Sequence, residues 1–361
     1  LQRTSKRYRI YSHLPREVFK YPITLEIFPT NKCNSHCSFC AYSKLRNQEE
    51  IPEKVFVKLI KDILNSNIKS VSFAGGGEPL IYSDIHKAIN YLVDNKIDVG
   101  IITNGLFLNQ DLIEAIKKCS WIRFSLLCSN SKDYKELTGT SEKNFYIILD
   151  NIKKITENSK DNLYVSALYM SNIPNDGCEK VKSFLELSAE LHLDQIFFKN
   201  IVYSFIQNNT SFDFYSKKAN KIIQLADNKK IITNLQKFLS KEESSYKKRL
   251  KNKPCQILRF NLIGLINANG DYYPCLCQYV TNGIKYGNIN QECLNTILEK
   301  REEIVKKIEA TSCQYCRHWS LRSELDNYLY SGNNRSRPRQ PQQSGGGLHP
   351  GIRYRGGWGS W

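Results

Sequence analysis

Pro29-Thr30-Asn31-Lys32-Cys33-Asn34-Ser35-His36-Cys37-Ser38-Phe39-Cys40 sets three thiols in the spacing C-x3-C-x2-C, directly after an apolar run, 24–28, that reads as a strand. Three thiolates on one short loop can each take one iron of a cubane cluster, for which thiolate is the usual protein ligand. Three ligands for four irons leave one iron open, as open catalytic metal sites are for a substrate. Two other readings stay open on the spacing alone. Zinc accepts three thiolates and an imidazole, so the same thiols with His36 also form a zinc set. Thiols that only pack are the third reading.

Outward from this loop, short apolar runs alternate with amphipathic segments as far as residue 200. The expected strands are 24–28, 70–73, 98–103, 121–126, 163–168 and 195–199. Helical patterns lie between them over 52–65, 83–95, 110–119, 143–158 and 178–191, the first opened by Pro52. This alternation argues for a parallel sheet with helical crossovers, which a doubly wound sheet and a barrel both satisfy.

Two further motifs stand at strand ends. Ala74-Gly75-Gly76-Gly77-Glu78-Pro79 follows the second strand, and Thr103-Asn104-Gly105 closes the third. A glycine triplet lets backbone approach a ligand where a side chain would clash, and Glu78 can accept a hydrogen bond from an ammonium group. With these in place, the chain from about 22 to 200 resembles the radical S-adenosylmethionine superfamily. The cysteine loop with an aromatic, Phe39, before its third thiol is similar to the family signature; the other two motifs are similar to its Gly-Gly-Glu and Thr-Asn-Gly turns.

The resemblance implies an α/β fold, a partial (β/α)6 barrel with its site at the C-terminal strand ends. It implies a four-iron four-sulfur cluster on Cys33, Cys37 and Cys40, with S-adenosylmethionine chelating the open iron. One electron then cleaves the sulfonium, and the 5′-deoxyadenosyl radical abstracts hydrogen from a substrate. Phe39, Gly76, Gly77, Glu78, Thr103, Asn104 and Ser125 are implied in cosubstrate binding: Gly76, Gly77 and Glu78 at the methionine amino group, Ser125 at the ribose. Many relatives continue with Leu-Asp after that serine; here the run is Ser125-Leu126-Leu127-Cys128, so no role passes to an aspartate. Cys128 is a candidate hydrogen-atom donor, with a buried inert thiol as the plainer reading.

A second cysteine-rich region spans 254–330. Cys255-x14-Gly270-x4-Cys275 and Cys313-x2-Cys316 resemble the auxiliary-cluster domains of the SPASM and twitch type. That resemblance implies one auxiliary four-iron four-sulfur cluster on Cys255, Cys275, Cys313 and Cys316. Structural zinc on the same thiolates competes, and Cys277 competes with Cys275 as a ligand. Asn269-Gly270-Asp271 is a hairpin signal. Cys293 reads as a packing residue on a helical segment.

The domain reading is therefore 1–21 as an N-terminal extension, 22–201 as the core barrel, 202–253 as a Lys-, Asn- and Ser-rich helical connector, 254–330 as the auxiliary domain, and 331–361 as a disordered or artefactual tail. Arg, Pro, Gly and Gln replace Lys, Asn and Ile in that tail. The first residue is Leu1 rather than Met, which suits a piece of a longer protein. Only a short segment precedes the core, so no fused leader-binding domain is expected.

Twelve cysteines clustered in this way point to metal rather than a disulfide framework. No run approaches the roughly 18 apolar residues of a membrane span, and no secretory signal opens the chain, so a cytoplasmic location is expected. The net charge of +17 suits an acidic electron donor such as a flavodoxin or ferredoxin. No nucleic-acid recognition motif accompanies it, so nucleic acid is not an expected partner. The expected substrate is a peptide or small biosynthetic intermediate. The alternatives are dehydrogenation of a carbohydrate or aminocyclitol alcohol, a non-catalytic iron-sulfur electron carrier, and a zinc-stabilised nucleic-acid module.

Overall fold

A computed structural model describes residues 19–43, 47–157, 163–171, 178–200, 212–235, 255–310 and 325. Seven parallel strands come in chain order: β1 (Thr24–Ile27), β2 (Ser70–Phe73), β3 (Asp98–Thr103), β4 (Trp121–Leu127), β5 (Tyr164–Ser171), β6 (Gln195–Asn200) and β7 (Ile232–Thr233). The crossovers carry α1 (Glu53–Leu64), α2 (Ile85–Asp94), α3 (Gln110–Ile116), α4 (Ser131–Thr138), α5 (Lys143–Thr156), α6 (Cys178–Glu190) and α7 (Phe212–Asp227). The six expected strands are all present, and the parallel core is that of a partial barrel.

Local chemistry sets the helix ends. Asn109 and Asn130 accept from the backbone N–H groups of Leu112 and Asp133, each at 2.9 Å, capping α3 and α4. Gly139 ends α4 at φ +63°.

Side chains alternate across the strands. Leu25 and Ile27, Val71 and Phe73, Val99 and Ile101, and Ile122, Phe124 and Leu126 face the helices in one core. The opposite register holds Thr24, Glu26, Ser70, Ser72, Arg123, Ser125 and Ser166. An inner face this polar departs from the near-continuous apolar strands of a doubly covered sheet and suits a barrel that admits a ligand. Arg123 is buried there with its guanidinium 3.6 Å from the Phe197 ring centroid. Desolvation lowers its pKa to about 9.

Two features go beyond the sequence reading. The stretch read as a helical connector also supplies β7, which pairs in parallel with β6. The second cysteine-rich region does not start a new sheet: β8 (Ile263–Ile266) pairs in parallel with β1, Thr24 opposite Ile263 and Ile27 opposite Ile266. An antiparallel ribbon of β9 (Asp271–Tyr273) and β10 (Gly287–Asn288) continues outward. The expected hairpin is present, with Gly270 at φ +81° donating to Asn267 O at 2.9 Å. Short helices α8 (Gln256–Arg259), α9 (Leu276–Val280) and α10 (Leu294–Glu299), then α11 (Arg301–Ala310), complete this region. The proposed tail lies outside the described residues. Among the described residues no helix is long and apolar enough to cross a membrane.

Candidate active site

Three loops meet at the C-terminal ends of β1, β2 and β3. The cysteine loop leaves β1 and is bonded to the glycine loop leaving β2: Gly77 donates to Thr30 O at 3.1 Å and Glu78 to Lys32 O at 2.8 Å. A side chain on Gly77 would put its Cβ 2.0 Å from Lys32 O, and one on Gly76 would stand 2.3 Å from Asn31 Oδ1. Gly77, which would meet backbone, is therefore needed for the approach of the two loops, whereas at Gly76 the contact is with a side-chain end.

Glu78 joins the third loop. It is 3% exposed, and its carboxylate accepts from Thr103 Oγ1 at 2.6 Å, Asn104 N at 2.7 Å and Leu80 N at 3.1 Å. Burial raises its pKa from 4.5 to about 7 against those three donors, which pull it down. Asn104 then reaches back to the cysteine loop: its Nδ2 donates to Asn34 Oδ1 at 2.6 Å and Ser35 Oγ at 3.2 Å, and lies 3.9 Å from Cys33 Sγ. Gly76, Gly77, Glu78, Thr103, Asn104 and Cys33 thus form one connected network.

The far side of the cysteine loop rests on α4, a contact not read from the sequence. His36 N donates to Thr138 O at 2.9 Å and Ser38 N to Leu137 O at 3.2 Å, while Gly139 passes under His36. The Gly139 helix stop was the available signal, though it does not say what docks there.

Ser125 and Cys128 stand at the end of β4. The register with β5 slips between Phe124 and Leu127, a bulge at Ser125. Leu127 follows at φ +71°, and Cys128 N donates to Leu126 O at 2.9 Å. Such a turn is costly for a branched residue, about 1–3 kcal/mol. The Cys128 thiol is 5% exposed and donates to Asn130 O at 3.4 Å.

Cys33, Cys37 and Cys40 are not in disulfides, and all are half-buried, as is Phe39. Among the described residues no three His, Cys, Asp or Glu side chains converge as around one metal ion. Three separated soft donors on one loop, with an amide beside the first, fit a cubane that takes one thiolate per iron.

At the second region Cys275 precedes α9 and Cys277 lies within it, both buried. A hydrogen bond with the Cys277 side chain, then burial, pushes the Cys275 thiol well up, and Cys255 adds to the effect. Cys275 and Cys277 therefore lie side by side with Cys255 within electrostatic reach, and such thiols would lose their protons on binding metal. Cys293 precedes α10, its sulfur 3.1 Å from Thr296 Oγ1. Cys313 and Cys316 lie outside the described residues.

Comparison with known proteins follows the same division. Residues 27–186 match the radical SAM superfamily, and residues 255–318 match an iron-sulfur cluster-binding domain, SPASM. A probable GTP 3',8-cyclase of Methanocaldococcus jannaschii is 30% identical over 156 residues, 41% of this chain and 50% of that protein; the chain thus spans half the cyclase's length. An uncharacterized protein of the same organism is 25% identical over 305 residues, 81% of this chain and 95% of that protein. Among solved structures, Streptococcus suis SuiB bound to precursor peptide SuiA has a TM-score of 0.62 at 19% identity, covering 85% of this chain and 72% of SuiB. Native anSMEcpe with bound AdoMet and a Cp18Cys peptide has a TM-score of 0.53 at 16% identity, covering 79% and 82%. The chain belongs to the radical SAM superfamily, whose cofactors are a four-iron four-sulfur cluster and S-adenosylmethionine, and it carries a C-terminal SPASM iron-sulfur domain.

Proposed function

We propose that this chain is a peptide-modifying radical enzyme, with its catalytic cluster on Cys33, Cys37 and Cys40. The observation that carries the site assignment is the network tying the cysteine loop to Gly77, Glu78 and Asn104 at three strand ends. When bound, the cluster supplies the electron that cleaves S-adenosylmethionine to the hydrogen-abstracting 5′-deoxyadenosyl radical.

The chain's own residues hold, orient and shield. Asn104 fixes the loop beside Cys33, and α4 fixes its other side. Glu78 locks the glycine loop to the third strand end, so that the backbone at Gly76 and Gly77 stays in place for the methionine end of the cosubstrate. Phe39 and Ser125 flank the adenosine end. Cys255, Cys275, Cys313 and Cys316 hold the auxiliary cluster, with Cys277 the alternative to Cys275. An acidic flavodoxin or ferredoxin docks on the basic surface. SuiB, with which this chain shares its fold, is bound to a precursor peptide, which supports the substrate class. A nucleotide is the second reading, supported by the cyclase relative over the core.

Anaerobic reconstitution tests the assignment. Brown protein that forms 5′-deoxyadenosine from S-adenosylmethionine and dithionite is expected, and a colourless zinc-loaded protein would refute it. A panel of peptides and nucleoside triphosphates, scored by substrate-dependent consumption, separates the two substrate classes.

A further inference from the structure

The C-terminal region packs against the first site, and Tyr279 reaches furthest toward the glycine loop. Tyr279 lies on α9, four residues beyond Cys275 and two beyond Cys277. Its ring packs on Phe28 at 5.7 Å, at the mouth of the cysteine loop, and stacks on Tyr42 at 6.3 Å, two residues past Cys40. Tyr273 closes the group at 5.4 Å, and Ala74, the residue before the glycine triplet, belongs to the same cluster.

Tyr279 is 7% exposed; its hydroxyl makes no hydrogen bond among the described residues and is not among the sealed-in oxygens that lack a partner, so its ring is packed while its oxygen stays open. That hydroxyl lies 3.8 Å from where a Cβ on Gly76 would be. A phenol with a packed ring and an open oxygen is placed to hydrogen-bond a ligand, and this one stands beside the backbone assigned to the cosubstrate.

We propose that Tyr279 hydrogen-bonds the amino-acid end of S-adenosylmethionine at Gly76, so that α9, which starts directly after the auxiliary ligand Cys275, also carries a cosubstrate contact. The inference rests on the assignment of the glycine loop above. Filling the auxiliary site then steadies the helix that presents Tyr279, and by linkage the cosubstrate steadies the auxiliary metal in return.

The test uses the reconstituted full chain and its Tyr279→Phe variant, which keeps the ring packing and loses the hydroxyl. S-adenosylmethionine binding is followed by the change in the electron paramagnetic resonance spectrum of the reduced cluster, and iron per chain is counted before and after chelator challenge. The variant is expected to load the same iron, to bind the cosubstrate about tenfold more weakly, and to lose the cosubstrate's protection of auxiliary iron. Affinity within twofold of the parent overturns the proposal, as does loss of iron on loading, which would make Tyr279 structural only. Failure of the parent chain itself to bind S-adenosylmethionine overturns the underlying site assignment instead.

Discussion

The two thiol regions are built by opposite means. Cys33, Cys37 and Cys40 stand half-buried on a loop outside regular structure, held from without by strand-end loops and by the carbonyls ending α4. Cys275 and Cys277 are buried, one just before and one within a short helix reached directly from a hairpin. A site that admits a visiting ligand keeps its metal ligands accessible and borrows its rigidity, whereas a closed site makes rigidity from its own packing.

The comparison breaks most decisively at the thiols. Replacing Cys33, Cys37 and Cys40 together by Ala is expected to abolish 5′-deoxyadenosine formation, whereas Cys255→Ala with Cys275→Ala is expected to remove auxiliary iron and weaken cosubstrate binding while the first site keeps its iron; iron and sulfide counts check both. Next comes the borrowed rigidity. Gly77→Ala drives a Cβ into Lys32 O and is expected to cost about 1–3 kcal/mol, with faster iron loss from the first site under chelator.

Glu78 adds a pH signature in the cofactor-free chain. Its folded pKa, about 7, lies above the ordinary carboxylate value, so the folded state binds more protons between the two. Its contribution is fully present below the ordinary value and falls away as pH rises through about 7, by about 3 kcal/mol at most. Urea midpoints at about pH 5 and pH 8 should differ less in Glu78→Gln than in the parent.

The C-terminal region has its own brace. Buried Arg301 donates to Leu258 O and, at 2.9 Å, to Arg259 O, the end of the helix that starts after Cys255. Arg301→Met should lower the urea midpoint by the equivalent of about 1–3 kcal/mol. The smallest effect is expected at Cys128, whose thiol bonds only weakly to the local backbone carbonyl of Asn130. Cys128→Ala should leave product stereochemistry unchanged; scrambled product would make Cys128 the hydrogen donor.

What was legible in the sequence follows from range. The six strands from β1 to β6 declared themselves because their apolar runs are local, and Gly270 announced its hairpin for the same reason. β7, two residues long, exists only by pairing with β6 and carries no pattern. The bulge at Ser125 depends on register with β5. Thr103 and Asn104 were legible as a turn, but their bonds to Glu78 span 25 and 26 residues. The glycine triplet reads as room for a ligand, yet half of its reason is the neighbouring loop.

The pairing of β8 with β1 has a consequence for biosynthesis. The strand that launches the thiol loop lies bare along one edge until residues 263–266 have left the ribosome. A nascent chain halted before that point would present an unpaired template for its neighbours, so cluster insertion is best timed to the finished polypeptide.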